Sequence, residues 1–202
     1  MAASLPPLAA LRHSSEEREA PLATALSLLL EPSPILLNRL VPELAQSEST
    51  NELHSYATLI DLALDAVAHW PPADQAQFIA GHPRIGETTG LSQLSAKEQA
   101  ARATPPEVLA RLAHLNACYE RRYPGLIYIT FVNGRSRAEI AREMEDKLGL
   151  EHSLAADQPP LSGIEPVEVD GEEWLQEVTR AVGDVGKIAK SRLRALGAEG
   201  NQ

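Results

Sequence analysis

Cysteine is all but missing from this chain. Cys118 stands alone, which excludes an internal disulfide and a cysteine-based zinc site and fits a reducing compartment. Basic residues are also in short supply. Eighteen lysines and arginines face 28 aspartates and glutamates, for a formal net charge of -10. That balance argues against nucleic acid as a partner. It also means that an anionic substrate needs a local basic pocket set against an acidic field. No run of about 18 or more uninterrupted apolar residues exists, so no membrane partner or span is expected. Internal repeats and a glycine-rich phosphate loop are both missing. The opening Met-Ala-Ala-Ser-Leu-Pro-Pro lacks the basic-then-apolar layout of a signal peptide, and the closing Gly-Asn-Gln is not a recognisable peroxisomal tripeptide. With no address legible, the expected location is cytoplasmic or peroxisomal.

What is present reads as helix. The length of 202 residues suits one domain with a real core. Residues 1–14 read as a flexible N-terminus, 15–197 as the domain and 198–202 as a tail. A first helix is expected to start near Ala23, after Pro21, and to end at Leu30 before Pro32 and Pro34. Ile35 to Leu44 reads as a second helical stretch that Pro42 breaks or restarts. Asn51 to His69 reads as a longer helix, with Leu53, Tyr56, Leu59, Ile60, Ala63, Leu64 and Val67 on one stripe. Pro71-Pro72 ends it, and Ala73 to Ala80 is a short helix. Thr104-Pro105-Pro106-Glu107 starts another helix, with Val108, Leu112, Leu115 and Tyr119 on one face. Leu126 to Val132 is the only strand-like run. One strand cannot make a sheet, so an extended segment packed among helices is expected. Ser136 to Leu148 and Glu172 to Leu196 complete the helices. Glu151 to Gly171, rich in proline and acids, reads as an insertion or flexible loop.

The chemically suggestive residues cluster in Gly81-His82-Pro83-Arg84-Ile85-Gly86-Glu87 and in Ser95-Ala96-Lys97-Glu98-Gln99. The proline biases His82 away from the helical region, so it sits at a helix exit. A histidine held on irregular backbone suits proton chemistry near neutral pH, although an ordinary loop role stays open. His69 and His114 fall in helices, and His13, His54 and His152 read as solvent-facing. Ser95-x-x-Glu98 is a capping box. The same spacing at Ser14/Glu17, Ser49/Glu52, Thr104/Glu107 and Ser136/Glu139 shows how cheap that pattern is. Asn116 reads as a satisfied buried amide. In Lys187-Ile-Ala-Lys190-Ser-Arg192-Leu-Arg194 most charges complement the helix dipole, while one arginine turned inward would clamp a carboxylate.

Taken together, these motifs resemble the 2-oxo-4-hydroxy-4-carboxy-5-ureidoimidazoline decarboxylase family. His82-Pro83 and Ser95-x-x-Glu98-Gln99 carry the resemblance. Leu115-Asn116-x-x-Tyr119, Ile127 to Phe131, and Lys187-Ile188-x-x-x-Arg192-Leu193 extend it over about residues 30 to 196. It implies an all-α, single-domain helical bundle with one short extended segment near the active site, commonly a homodimer, with no cofactor and no metal. It also implies His82 and Glu98 as the catalytic pair. Pro83, Ser95, Gln99, the backbone at Ile127 and Ile129, and Arg192 would bind a small anionic ureidoimidazoline. Arg84 stands where the family commonly has aspartate, the loop to Ser95 is short, and Tyr123-Pro124-Gly125-Leu126 replaces the family's Phe-Gly-Phe entry. Residues 151–171 are additional. A same-fold enzyme acting on another ureido or imidazolone acid, and a non-catalytic helical interaction domain, are the alternatives.

Overall fold

The computed structural model describes residues 4–12, 15–87, 91, 92, 94, 96 and 104–197. The fold is all-α: among the described residues, seven α-helices are fully delimited and no strand occurs. They are α1 (Ser15–Leu30), α2 (Val41–Gln46), α3 (Tyr56–Ala68), α4 (Pro72–Ala80), α5 (Pro106–Arg122), α6 (Arg137–Leu148) and α7 (Glu172–Ala195). The chain divides into two compact units, one formed by residues 1–82 and 182–202, the other by 83–181. Among the described residues, no helix is long and apolar enough to cross a membrane.

In the first unit, α1 starts at Ser15 rather than near Ala23 and holds Pro21 inside it. Leu22, Ala25, Leu26 and Leu29 are fully buried along this helix. Their packing outweighs the one backbone bond that the proline removes. Leu36–Leu40 forms a π-helical turn that runs directly into α2. Pro42 lies in the first turn of α2 and therefore restarts the helix, where its missing N–H costs little. The helix expected from Asn51 begins instead at Tyr56. Ser55 is its N-cap, and its hydroxyl accepts from the Thr58 N–H at 3.1 Å. Glu48–Glu52 is a separate 3-10 turn. The C-terminal part of α7 completes this unit, with Val182, Val185, Ala189 and Leu193 buried at helical spacing.

In the second unit, Val108, Leu112, Leu115 and Tyr119 are buried on α5, as their periodicity requires. Pro105 occupies the N-cap position, so Thr104 and Glu107 do not form a capping box. Ser136 and Glu139 do form one, at the start of α6. Residues 126–130 are buried without belonging to a sheet, as expected of an extended segment among helices. Residues 151–171 are not a loose insertion. Arg111, itself 1% exposed, donates to the Ala155 carbonyl at 2.7 Å and to the Gln158 carbonyl. Arg122 donates to the Glu165 carbonyl at 3.0 Å and its own carbonyl accepts from the Val167 N–H at 2.8 Å. The segment is a strap whose backbone is hydrogen-bonded by side chains and backbone of α5.

Candidate functional site

α4 delivers His82. The helix ends at Ala80, Gly81 caps it, and the His82 N–H bonds the Ile79 carbonyl at 3.0 Å. The sequence expectation of a helix exit is met, but the side chain is buried rather than displayed on a loop. Its ring meets Phe78 edge-on at 5.8 Å, and Phe78 in turn meets Trp70 edge-on at 6.2 Å. Close approach of the loop after α1 completes this side of the site. A Cβ at Gly81 would lie 2.7 Å from the Cβ of Ser33, nearer than two carbons pack, so residue 81 has room for glycine only. Ser33 itself is fixed by its hydroxyl, which accepts from the Leu36 N–H at 3.3 Å.

Neither ring nitrogen of His82 has a hydrogen-bond partner among the described residues, and both are sealed from solvent. A buried polar group without a partner is costly and therefore uncommon. Burial pushes the His82 pKa from its ordinary 6.5 down to about 4, and the Arg192 charge pushes the same way. The Glu31 carboxylate opposes both. The carbonyls of Phe78 and Ile79 act weakly in the direction of Glu31, although neither is in hydrogen-bonding geometry with the ring. At neutral pH the imidazole is therefore uncharged and able to accept a proton.

Arg192 reaches this site from α7. It is buried, as the sequence led us to expect, while Arg194 is exposed. Ile188, four residues before it, is only half-buried, and the buried stripe runs through Val185, Ala189 and Leu193. The Arg192 guanidinium is not simply waiting for an anion. Its Nη2 lies 2.7 Å from Glu31 Oε1, and its Nη1 donates to the Leu29 carbonyl at 3.4 Å. Glu31 is the site residue that sequence reasoning missed. Its signal was a charged residue directly after the apolar end of α1, in Leu29-Leu30-Glu31-Pro32-Ser33, where a glycine ordinarily closes the helix.

His82 and Arg192 thus lie in the same unit, with the arginine's charge acting on the ring. Pro83, Ile127 and Ile129 belong to the second unit. Ile127 and Ile129 are buried. The segment is held at its flanks by the Leu126 N–H to the Tyr123 carbonyl and the Arg135 N–H to the Val132 carbonyl, each at 3.0 Å. Asn116 donates to the Ile85 carbonyl at 3.0 Å, but its own buried Oδ1 has no partner among the described residues, so the amide is only half satisfied. Arg84 is engaged by Glu120 through two guanidinium nitrogens. Ser95, Glu98 and Gln99 lie outside the described residues, as do Ser14 and His13; next to them, Leu94 and Ala96 are helical. His54 and His152 are exposed, as expected. Among the described residues, no three histidine, cysteine or carboxylate side chains converge as a metal site.

A sequence model of a family described as OHCU decarboxylase matches residues 15–155. No curated protein matches the chain.

Proposed function

The chain belongs to the OHCU decarboxylase family of urate degradation, and from that premise we propose that it converts 2-oxo-4-hydroxy-4-carboxy-5-ureidoimidazoline to (S)-allantoin without a cofactor. The observation that carries this reading is His82, a buried imidazole with no hydrogen-bond partner on either nitrogen among the described residues, within electrostatic reach of an arginine that is ion-paired with Glu31. Decarboxylation needs an electron sink, which many enzymes take from a cofactor. Here the substrate supplies its own. As the bond to the leaving carboxylate breaks, the electron pair passes to the conjugated ring nitrogen. The protein has to orient the carboxylate, accept the hydroxyl proton, and let a proton return to carbon on one face. His82 accepts the hydroxyl proton, with Glu98 as the partner that the family resemblance assigns. Arg192 binds the anionic group. Ser95, Gln99, Pro83 and the backbone at Ile127 and Ile129 take the ureido and ring amide groups in the same assignment. The family resemblance adds a homodimer to this reading.

Purified protein mixed with freshly generated substrate should produce a circular dichroism signal of chiral allantoin well ahead of spontaneous decay. Allantoin that accumulates as a racemate at the uncatalysed rate would refute the assignment. Turnover of a different ureido acid instead would favour the same-fold alternative.

The cation is tested by a pair of conservative changes. Arg192→Lys keeps the charge but loses the planar fork, and it should raise KM roughly tenfold or more. Arg194→Lys should leave KM unchanged, because Arg194 is exposed. Equal effects at the two positions would remove Arg192 from the site.

A further inference from the structure

Glu31 stands where elementary physical chemistry disfavours it on three counts. It is a carboxylate only 4% exposed, and buried charges are costly. Its φ is +68°, in the left-handed region that glycine and asparagine occupy most readily. It precedes Pro32, whose ring drives the preceding residue toward extended backbone. Such costs persist only where the surrounding structure imposes them, and they gather at functional sites. A glycine would close α1 with less strain.

What the carboxylate gains is Arg192. The contact between Oε1 and Nη2 is 2.7 Å, and both side chains are buried to within 5%. The same two residues, one at the end of α1 and one on α7, are the charged groups among the described residues that act on the His82 ring. We propose, resting on the decarboxylase reading above, that Glu31 is a positioning residue: it fixes the Arg192 guanidinium and offsets its charge at His82. The substrate anion then meets an oriented cation, and the imidazole beside it stays basic enough to take a proton.

The test uses Glu31→Gln, Glu31→Asp and Arg192→Gln in the full chain. Glu31→Gln should lower kcat/KM by roughly tenfold to a hundredfold, the scale of a misplaced binding group. Its acid limb should move to lower pH, because the Arg192 charge is then uncompensated. Glu31→Asp should restore the position of that limb. A limb that does not move in Glu31→Gln overturns the proposal, whatever happens to the rate. A second readout needs no substrate. Titration of the His82 ring followed by nuclear magnetic resonance should give midpoints in the order Arg192→Gln highest, wild type next, Glu31→Gln lowest. If the wild type does not turn over the ureidoimidazoline, the functional reading fails, and this order alone decides whether Glu31 governs the histidine. Midpoints that coincide in wild type and Glu31→Gln overturn it.

Discussion

His82→Met is expected to abolish most decarboxylation while leaving the fold as stable as the wild type or more so. The activity should fall by about two to four orders of magnitude, the range typical of a positioned acid–base group. Stability should hold because methionine fills a similar volume and adapts to its surroundings, and because the change removes two buried nitrogens that no described protein atom satisfies. The pH dependence of stability should change as well. The ring is neutral in the folded chain down to about pH 4, whereas its ordinary midpoint is 6.5. The unfolded chain therefore binds the extra proton first as the solution is acidified. The stability associated with neutral His82 is fully present above pH 6.5 and is lost as pH falls toward 4, at about 1.4 kcal/mol per unit. His82→Met should flatten that part of the profile. Thermal melts of both proteins across pH 4 to 7, with assays alongside, will decide. Near wild-type turnover in the variant would mean that the histidine is not the proton acceptor.

Arg111→Met should cost about 3–5 kcal/mol, the scale for removing one partner of a buried ion pair. Arg111 and Glu145 are each 1% exposed, and Arg111 Nε donates to Glu145 Oε1 at 2.8 Å. The substitution strands the Glu145 carboxylate and also frees the carbonyls of Ala155 and Gln158, which Arg111 now holds. Glu145 Oε1 accepts in addition from the Ser153 N–H at 3.0 Å, so the stranded carboxylate keeps that tie to the strap while the two made by Arg111 are lost. Arg111→Met/Glu145→Leu should recover part of the loss, because an apolar pair of similar bulk avoids the stranded charge. Urea unfolding of the two variants measures both effects. A single variant within about 1 kcal/mol of wild type would show that the clasp is dispensable.

Much of this was legible wherever side chains follow a helical period. The buried face of α5 and the extended segment from Leu126 follow from spacing and residue type, while the choice of Arg192 among the arginines of α7 follows from the family resemblance. Spacing alone did not single out the capping box at Ser136, since the same pattern at Thr104/Glu107 forms none. Glu31 was not legible, because its role depends on a left-handed backbone and on an arginine about 160 residues away, which local sequence does not encode. The strap at 151–171 was misread for a related reason. Its partners bind its carbonyls and amides, and backbone groups leave no mark in composition. The start of α1 was placed too late because a proline was weighed above the leucines around it.

The fit between Gly81 and Ser33 has a consequence for how this site can diverge. Its geometry depends on an atom that is not there. Every replacement of Gly81 adds at least a methyl group at 2.7 Å from the Ser33 side chain, so drift at this position has no small first step. Shortening Ser33 to alanine leaves the obstacle in place, since the clash begins at its own Cβ. Only two changes made together, one in each loop, would let position 81 vary, and each alone is unfavourable or idle. A lineage varying this site therefore has freer routes elsewhere, such as the exposed turn at Arg84, than through the backbone that carries the histidine.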